Sequence, residues 1–425
     1  MRGEHIHPAQ AGDRHGGSNK SSVQTVSPRA QAKPTCPHFM KYDGQQALQP
    51  IRVGPLFEFG SLNGGEFSML ATLSHIPRDE VAIVAFSPAD GPLQAALRSQ
   101  QVPWNSLPDS VLNRNSPHWK REWIAWLRGI TANFQLQLLH ANSLTMSRRL
   151  GLAASELTCR TTGHVRDIMK LSQGAIRELN QHVQLVAVSH AVRQSLLEQG
   201  IQQNRVQTIY NGIDPHRFFP VPRTGGLRHE LGLSNDVQLA ATIGQICLRK
   251  GQNDLAACAV LLRDRFPQLH FLLVGQRHSL KTESIEFDRA ISKTFRSAGM
   301  EHRLHRLHFR HDIPAILNEI DLLIHPARQE PLGRVLLEAA ACGVPIVTTN
   351  VGGTSEILTH LKTGWLVPAA DPAALATGVA ALLNHPEHRQ HLGSAAASTI
   401  ANRFHINTAV ESLILFWQAA AENLV

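Results

Sequence analysis

Cysteine is scarce in this chain. Five occur in 425 residues, at Cys36, Cys159, Cys247, Cys258 and Cys342. The count is odd and no pair has C-x-x-C spacing, which argues against a disulfide framework and a zinc–thiolate site and suits a reducing cytoplasm. Long apolar runs are missing too. Nothing approaches the ~18–20 uninterrupted apolar residues of a membrane helix. The first fifty residues have no apolar segment of the secretory type, and their acids and lack of amphipathic pattern argue against a transit peptide. There is no Walker A loop and no G-x-G-x-x-G, so triphosphatase and NAD-dependent readings lose their key feature.

What is present is a soluble globular composition, 43 % apolar and 17 % charged, with a net charge of +8. A basic balance alone is compatible with nucleic acid, a membrane surface or an anionic small molecule. Residues 1–50 carry six Lys/Arg against three acids, so +3 of the charge sits there. That segment is rich in Gly, Ser, Gln, Pro and His without apolar periodicity and reads as a disordered tail. Nucleic-acid binding would need a basic, aromatic-lined groove that the sequence does not show.

From residue 51 strand-like and helix-like segments alternate. Ile51–Phe57, Val81–Phe86, Leu136–His140, Leu185–Ser189 and Val206–Tyr210 read as strands. Continuous apolar runs of this kind are buried on both faces, as in parallel sheets. Turn chemistry at Asn211-Gly-Ile-Asp-Pro215 interrupts the pattern. Residues 215–235 read as a linker, with Pro220, Pro222 and Gly225-Gly226. A second series follows: strands at Leu239–Ile243, Leu269–Val274, Leu304–Phe309, Leu322–His325 and Pro345–Thr349, and helices at Gly251–Phe266 and Arg334–Ala341. The expectation is α/β: two doubly wound domains, 51–214 and 236–404, with a terminal helix at 405–425 packing back on the first. Ligands of such domains bind at the carboxyl ends of the strands.

The stretch richest in chemistry is Glu330-Pro-Leu-Gly-Arg-Val-Leu-Leu-Glu338. Pro331 and Gly333 predict a strand-to-helix turn with the proline near the first helical turn. Its amides would suit an anionic or hydroxyl-rich ligand. Glu338 falls about two turns on, near the same helix face. Carboxylates there can accept hydrogen bonds from vicinal sugar hydroxyls. The plainer alternative is two acids stabilising a helix start.

The segment Glu330–Ile357, EPLGRVLLEAAACGVPIVTTNVGGTSEI, resembles the nucleotide-sugar half of retaining GT-B glycosyltransferases of the family-4 type. Tyr210-Asn-Gly-Ile-Asp214 resembles that family's inter-domain signature. Gly244-Gln-Ile-Cys-Leu-Arg-Lys-Gly251 resembles its phosphate loop, and Gly364-Trp-Leu-Val-Pro-Ala-Ala-Asp371 its late strand and turn. Leu138–Asn142, His164-Val-Arg-Asp167 and Val186–His190 fit the first domain more loosely.

The resemblance implies a GT-B fold, two Rossmann-like domains facing a cleft, and a metal-independent hexosyltransferase without a cofactor. Its donor would be a UDP-, GDP- or ADP-sugar. Its acceptor would be a glycan, a lipid-linked molecule or a small molecule, in cell-envelope or exopolysaccharide synthesis. Glu330 would hold the donor sugar, with His164 near the reacting carbon. Glu338 would bind the ribose and Lys250 the diphosphate. Amides of Leu332, Gly333 and Arg334, the loop glycines Gly64 and Gly65, and Asn211 complete the expected donor site. No Asp-x-Asp pair occurs in the chain. One position departs from the pattern: the phosphate-binding arginine is Gln245, which carries no charge. Arg249, Arg328 or Arg334 are the candidate replacements. The departure also motivates an alternative, a non-catalytic nucleotide-sugar or glycan-binding protein on the same scaffold.

Trp119, Trp123 and Trp126 would share one helix face. That face is either core or a peripheral contact with the inner face of the membrane, and core is favoured. The sets His302, His305, His308, His311 and His385, His388, His391 read as solvated or packed histidines.

Overall fold

The computed structural model describes residues 49–112 and 115–422. The tail expected over residues 1–50 lies almost wholly outside the described residues. The strands of the first half are β1 (Ile51–Leu56), β2 (Val81–Ile83), β3 (Ala85–Ser87), β4 (Trp104–Ser106), β5 (Leu138–Ala141), β6 (Arg160–Val165), β7 (Gln184–Ala187) and β8 (Val206–Thr208). They form one parallel sheet in the order β4-β3-β1-β5-β6-β7-β8, with β2 also paired to β1. The second half contributes β9 (Gln238–Ile243), β10 (Leu269–Val274), β11 (Leu304–Leu307), β12 (Leu322–His325), β13 (Ile346–Thr349) and β14 (Trp365–Val367). Their order is β11-β10-β9-β12-β13-β14, all parallel. In each sheet the chain starts in the middle, winds outward, then returns to wind the other way. That reversal makes a crevice at the strands' carboxyl ends.

β6 escapes a search for apolar runs, because it is Arg-Thr-Thr-Gly-His-Val yet buried from Thr161 to Val165. Its two threonines are satisfied in pairs. Thr162 Oγ1 lies 2.9 Å from His140 Nδ1, and Thr161 Oγ1 lies 3.0 Å from His182 Nδ1. Buried polar groups are tolerated when so partnered.

The segment expected as a linker does more than connect. It contains the helix Gly226–Glu230, and its Arg228 is 3 % exposed. The Arg228 guanidinium donates to Asp321 Oδ2 at 2.8 Å and to the Glu319 carbonyl at 2.7 Å. Residues 223–228 therefore belong to the second unit's packing.

The chain passes between the sheets twice, near Gly212 and near His405. The crossings are stitched together: Ile213 N donates to Phe404 O at 2.7 Å, and Ile406 N donates to Ile213 O at 3.0 Å. A Cβ on Gly212 would come within 2.6 Å of Ile406 Cα, so only glycine fits. Beyond the second crossing the helix Ile406–Glu422 lies over the first sheet. Val410, Leu413, Ile414, Phe416 and Trp417 join one core with Ile51, Val53, Phe57 and Leu138.

Trp123, in the helix Trp119–Asn133, is fully buried. Its ring stacks on Trp126 at 5.4 Å, and its indole N–H donates to Arg149 O at 2.9 Å. Trp119 and Trp126 are partly buried against the same core. The indoles thus spend their apolar faces on the interior. No helix among the described residues is long and apolar enough to cross a membrane.

Candidate active site

A cavity of about 620 Å³ lies at the carboxyl ends of both sheets. Its walls include Gly64, Gly65, Asn211, Gln245, Arg249, Lys250, Glu330, Leu332, Gly333, Arg334 and Glu338. Eleven of the twelve expected site residues therefore meet in one place. His164 is the exception and does not line it. It is 4 % exposed, lying behind Arg166, whose Nη2 is 3.1 Å from His164 Nδ1.

The phosphate loop approaches Glu330 because the two segments are zipped together. Arg328 N donates to Arg249 O at 2.8 Å. Gly251, at φ +64°, turns under Pro326, where a Cβ would sit 2.0 Å from the Pro326 carbonyl oxygen. Lys250 Nζ then reaches Glu330 Oε2 at 2.5 Å, and His325 Nε2 reaches the same oxygen at 2.7 Å. Burial opposes ionisation of Glu330. The Lys250 ammonium and the His325 hydrogen bond outweigh it and hold the carboxyl below its ordinary range. His325 is pulled down by burial and by Lys250, so it is a neutral donor. Both contacts fall on Oε2. Among the described residues no hydrogen bond reaches Oε1, which stays available to a ligand hydroxyl.

The turn after Glu330 differs from the expectation in one detail. The helix begins at Arg334, with Gly333 as its cap at φ +104°, so Pro331 precedes the cap instead of filling the first turn. Gly352 and Gly353 pack against this turn. Gly353 N donates to Glu330 O at 2.9 Å, and a Cβ on Gly352 would sit 2.0 Å from that oxygen. Ser189 of the first domain donates through Oγ to Pro331 O at 2.5 Å.

Glu338 pairs with Arg334 at 2.7 Å, one helical turn apart. The Arg334 guanidinium lies 4.6 Å from the centre of the Phe67 ring, which stacks on Phe309 at 6.5 Å. Arg328 leaves the list of candidate phosphate cations. It makes a two-pronged pair with Asp254, at 3.0 and 2.8 Å, and does not line the cavity. Gln245 is exposed at the cavity wall.

Arg166 is a cavity residue that sequence reasoning passed over, although it sits inside the quoted His164–Asp167 stretch. It lines the cavity and bonds to Asn142 and Asn211. Its spacing of two from His164 at a strand end was the available signal. Among the described residues no group of three His, Cys, Asp or Glu is placed to hold a metal.

Two Rossmann-like sheets with a cavity at their facing carboxyl ends define the GT-B arrangement. The profile of the Glycosyl transferases group 1 family matches residues 227–399, and that of Glycosyltransferase Family 4 matches residues 62–217. The chain belongs to this glycosyltransferase family of enzymes. It is 28 % identical over 253 residues to N-acetyl-alpha-D-glucosaminyl L-malate synthase of Bacillus anthracis, covering 57 % of this chain and 63 % of that protein. It is 28 % identical over 310 residues to D-inositol 3-phosphate glycosyltransferase of Pseudarthrobacter chlorophenolicus, covering 71 % and 72 %. Among solved structures, Anabaena HepE in complex with UDP and glucose superposes with a TM-score of 0.77 at 22 % identity, over 87 % of this chain and all of that one.

Proposed function

We propose that the protein is a retaining hexosyltransferase that moves a sugar from a nucleoside-diphosphate donor to a hydroxyl of an acceptor. The observation that carries this reading is the Lys250–Glu330 pair in the wall of the cavity. A glycosyl donor needs an acceptor of hydrogen bonds for its sugar hydroxyls beside a cation for its leaving group, and this pair offers both. Relatives named N-acetyl-alpha-D-glucosaminyl L-malate synthase and D-inositol 3-phosphate glycosyltransferase support a small hydroxyl-bearing acceptor, beside the glycan or lipid-linked acceptors of cell-envelope or exopolysaccharide synthesis that the reading also admits.

The chemistry follows from the groups present. As the bond between the anomeric carbon and the diphosphate breaks, negative charge grows on the leaving oxygen. Lys250 and Arg249 stabilise that charge more in the transition state than in the ground state. Glu330 Oε1 accepts from the sugar and fixes its ring. The acceptor oxygen bonds to the anomeric carbon on the face that the diphosphate leaves, and its proton passes to a diphosphate oxygen. Configuration is retained, and the side-chain cations do the work without a cofactor. His164, neutral and behind Arg166, acts here by holding that side chain in place.

The test is release of nucleoside diphosphate from a panel of UDP-, GDP- and ADP-sugars, with and without candidate acceptors. Turnover of one donor that Glu330→Ala abolishes supports the reading. No release from any donor, or full turnover by the variant, overturns it.

A further inference from the structure

The cations around the cavity are not equivalent. Lys250 is bonded to Glu330, Arg334 to Glu338, and Arg310 to both Glu230 and Asp312. Among the described residues Arg249 donates only to Gln329 O, at 3.4 Å, and Arg166 differs further in making four hydrogen bonds that all go to neutral groups. Nε donates to Asn142 O at 3.4 Å, Nη1 to Asn211 Oδ1 at 2.8 Å, and Nη2 to Asn142 Oδ1 at 3.0 Å and to His164 Nδ1 at 3.1 Å. A guanidinium has five N–H donors. One on Nη1 is left without a partner among the described residues, on a side chain that lines the cavity.

The local geometry draws a second positive charge to the same place. The Arg166 stem lies against Gly65, where a Cβ would meet its Cδ at 3.1 Å. Arg334 lies over the ring of Phe67, two residues on in the same helical turn. Burial lowers Arg166 to about 10. Glu66 and Asp167 oppose the shift through space, and Arg334 adds to it. A cation drawn from water, with carboxylates acting on it through space but none hydrogen-bonded to it, is costly until an anion joins it. Meanwhile Gln245 leaves the usual phosphate loop one charge short.

Resting on the transferase reading above, we propose that Arg166 is a specificity-determining residue that, with Arg334, takes an oxyanion of the reactants, a phosphate or carboxylate group. The neutral partners fix the plane of the guanidinium, so its free N–H is presented in a set direction before the ligand arrives. The oxyanion belongs either to the donor's diphosphate or to the acceptor. Charge missing from the second domain at Gln245 is thus supplied by the first. A purely structural role, tying Asn142 to Asn211, would affect folding and leave anion affinity alone.

Calorimetry on the full chain separates these outcomes. Wild type, Arg166→Gln and Arg166→Lys are titrated with pyrophosphate, with UDP, ADP and GDP, with uridine, and with orthophosphate on nucleotide-saturated protein. Arg166→Gln keeps hydrogen-bonding capacity and loses the charge. It is expected to weaken pyrophosphate and the preferred nucleoside diphosphate roughly ten- to hundredfold, the loss of one charge-assisted hydrogen bond, with uridine unchanged. Arg166→Lys recovers part of the loss. If nucleotide affinity holds and orthophosphate binding to the nucleotide-loaded protein disappears, the anion is the acceptor's. If Arg166→Gln binds every anion as the wild type does, the proposal falls and the donor reading stands. If the wild type binds pyrophosphate through Arg166 but no nucleotide, the donor reading falls and the anion site stands. If it binds no anion, both fall. A loss of thermal stability with unchanged affinities marks a structural tie and also overturns the proposal.

Discussion

The Tyr210 hydroxyl donates to Glu356 Oε2 at 2.7 Å, joining the end of the first domain to a helix of the second. The same carboxylate accepts from the backbone amides of His190 and Ala191, both at 2.8 Å. These are the first amides of the helix His190–Glu198, which have no partner within the helix. One acidic side chain therefore caps a helix across the seam and helps fix how the turn after Glu330 meets the first sheet. Glu356→Ala is expected to cost about 1–2 kcal/mol of stability, the scale of a lost helix cap. Turnover should fall while nucleotide affinity measured by calorimetry changes less than about twofold. A variant with native stability and turnover would remove this function from Glu356.

Lys250 and Glu330 are predicted to fail differently. Lys250→Met leaves Glu330 with His325 alone and removes charge from the leaving group, so kcat should drop roughly 10²–10³-fold, as for other lost transition-state donors. Glu330→Ala removes sugar binding, and since each variant leaves one partner of a buried pair uncompensated, both should lose about 3–5 kcal/mol of stability. Urea unfolding with steady-state kinetics on both variants checks this. Native stability together with full kcat in either variant would contradict the assignment.

Acid sensitivity should come from neutral buried histidines. Burial chiefly lowers His140 to about 3 and His182 to about 4, and holds His164 well below its ordinary value. The unfolded chain takes up a proton at each near the ordinary value of about 6.5, and the folded chain does not. Stability is therefore full above about pH 6.5 and is lost as pH falls toward the folded values. Each histidine contributes up to roughly 1.4 kcal/mol per pH unit. The urea midpoint should fall between about pH 7 and pH 5. His182→Gln, which can still donate to Ser147 O, should reduce that slope by up to roughly 1.4 kcal/mol per pH unit. A midpoint independent of pH over this range would refute the account.

Trp123→Ala should cost about 3–5 kcal/mol, because the indole fills a closed core and its N–H is satisfied by Arg149 O. Chemical denaturation measures this. A surface residue reserved for a membrane would show little change.

The strands that are continuous apolar runs, such as Leu269–Val274 and Leu322–His325, were legible because burial on both faces leaves a one-dimensional mark. The Pro–Gly turn after Glu330 and the glycines near Gly352 were legible for a similar reason, since backbone geometry restricts the residue types allowed. β6 was not legible. Its Thr161 and Thr162 are core residues only because partners from β5 and the His182 turn satisfy them. No local pattern encodes a partner some twenty residues away.

By itself, then, the sequence determined two parallel α/β units, the placement of the carboxylates and cations on strand-to-helix turns, and the family. Tertiary structure decided which charges are free to act. Arg328 is taken by Asp254, 74 residues earlier in the chain, while Arg166 is brought into the cavity with neutral partners alone. Formal charge is a property of a residue. Whether that charge is neutralised depends on which side chains the fold places within a few ångströms of it, and only the folded chain settles that.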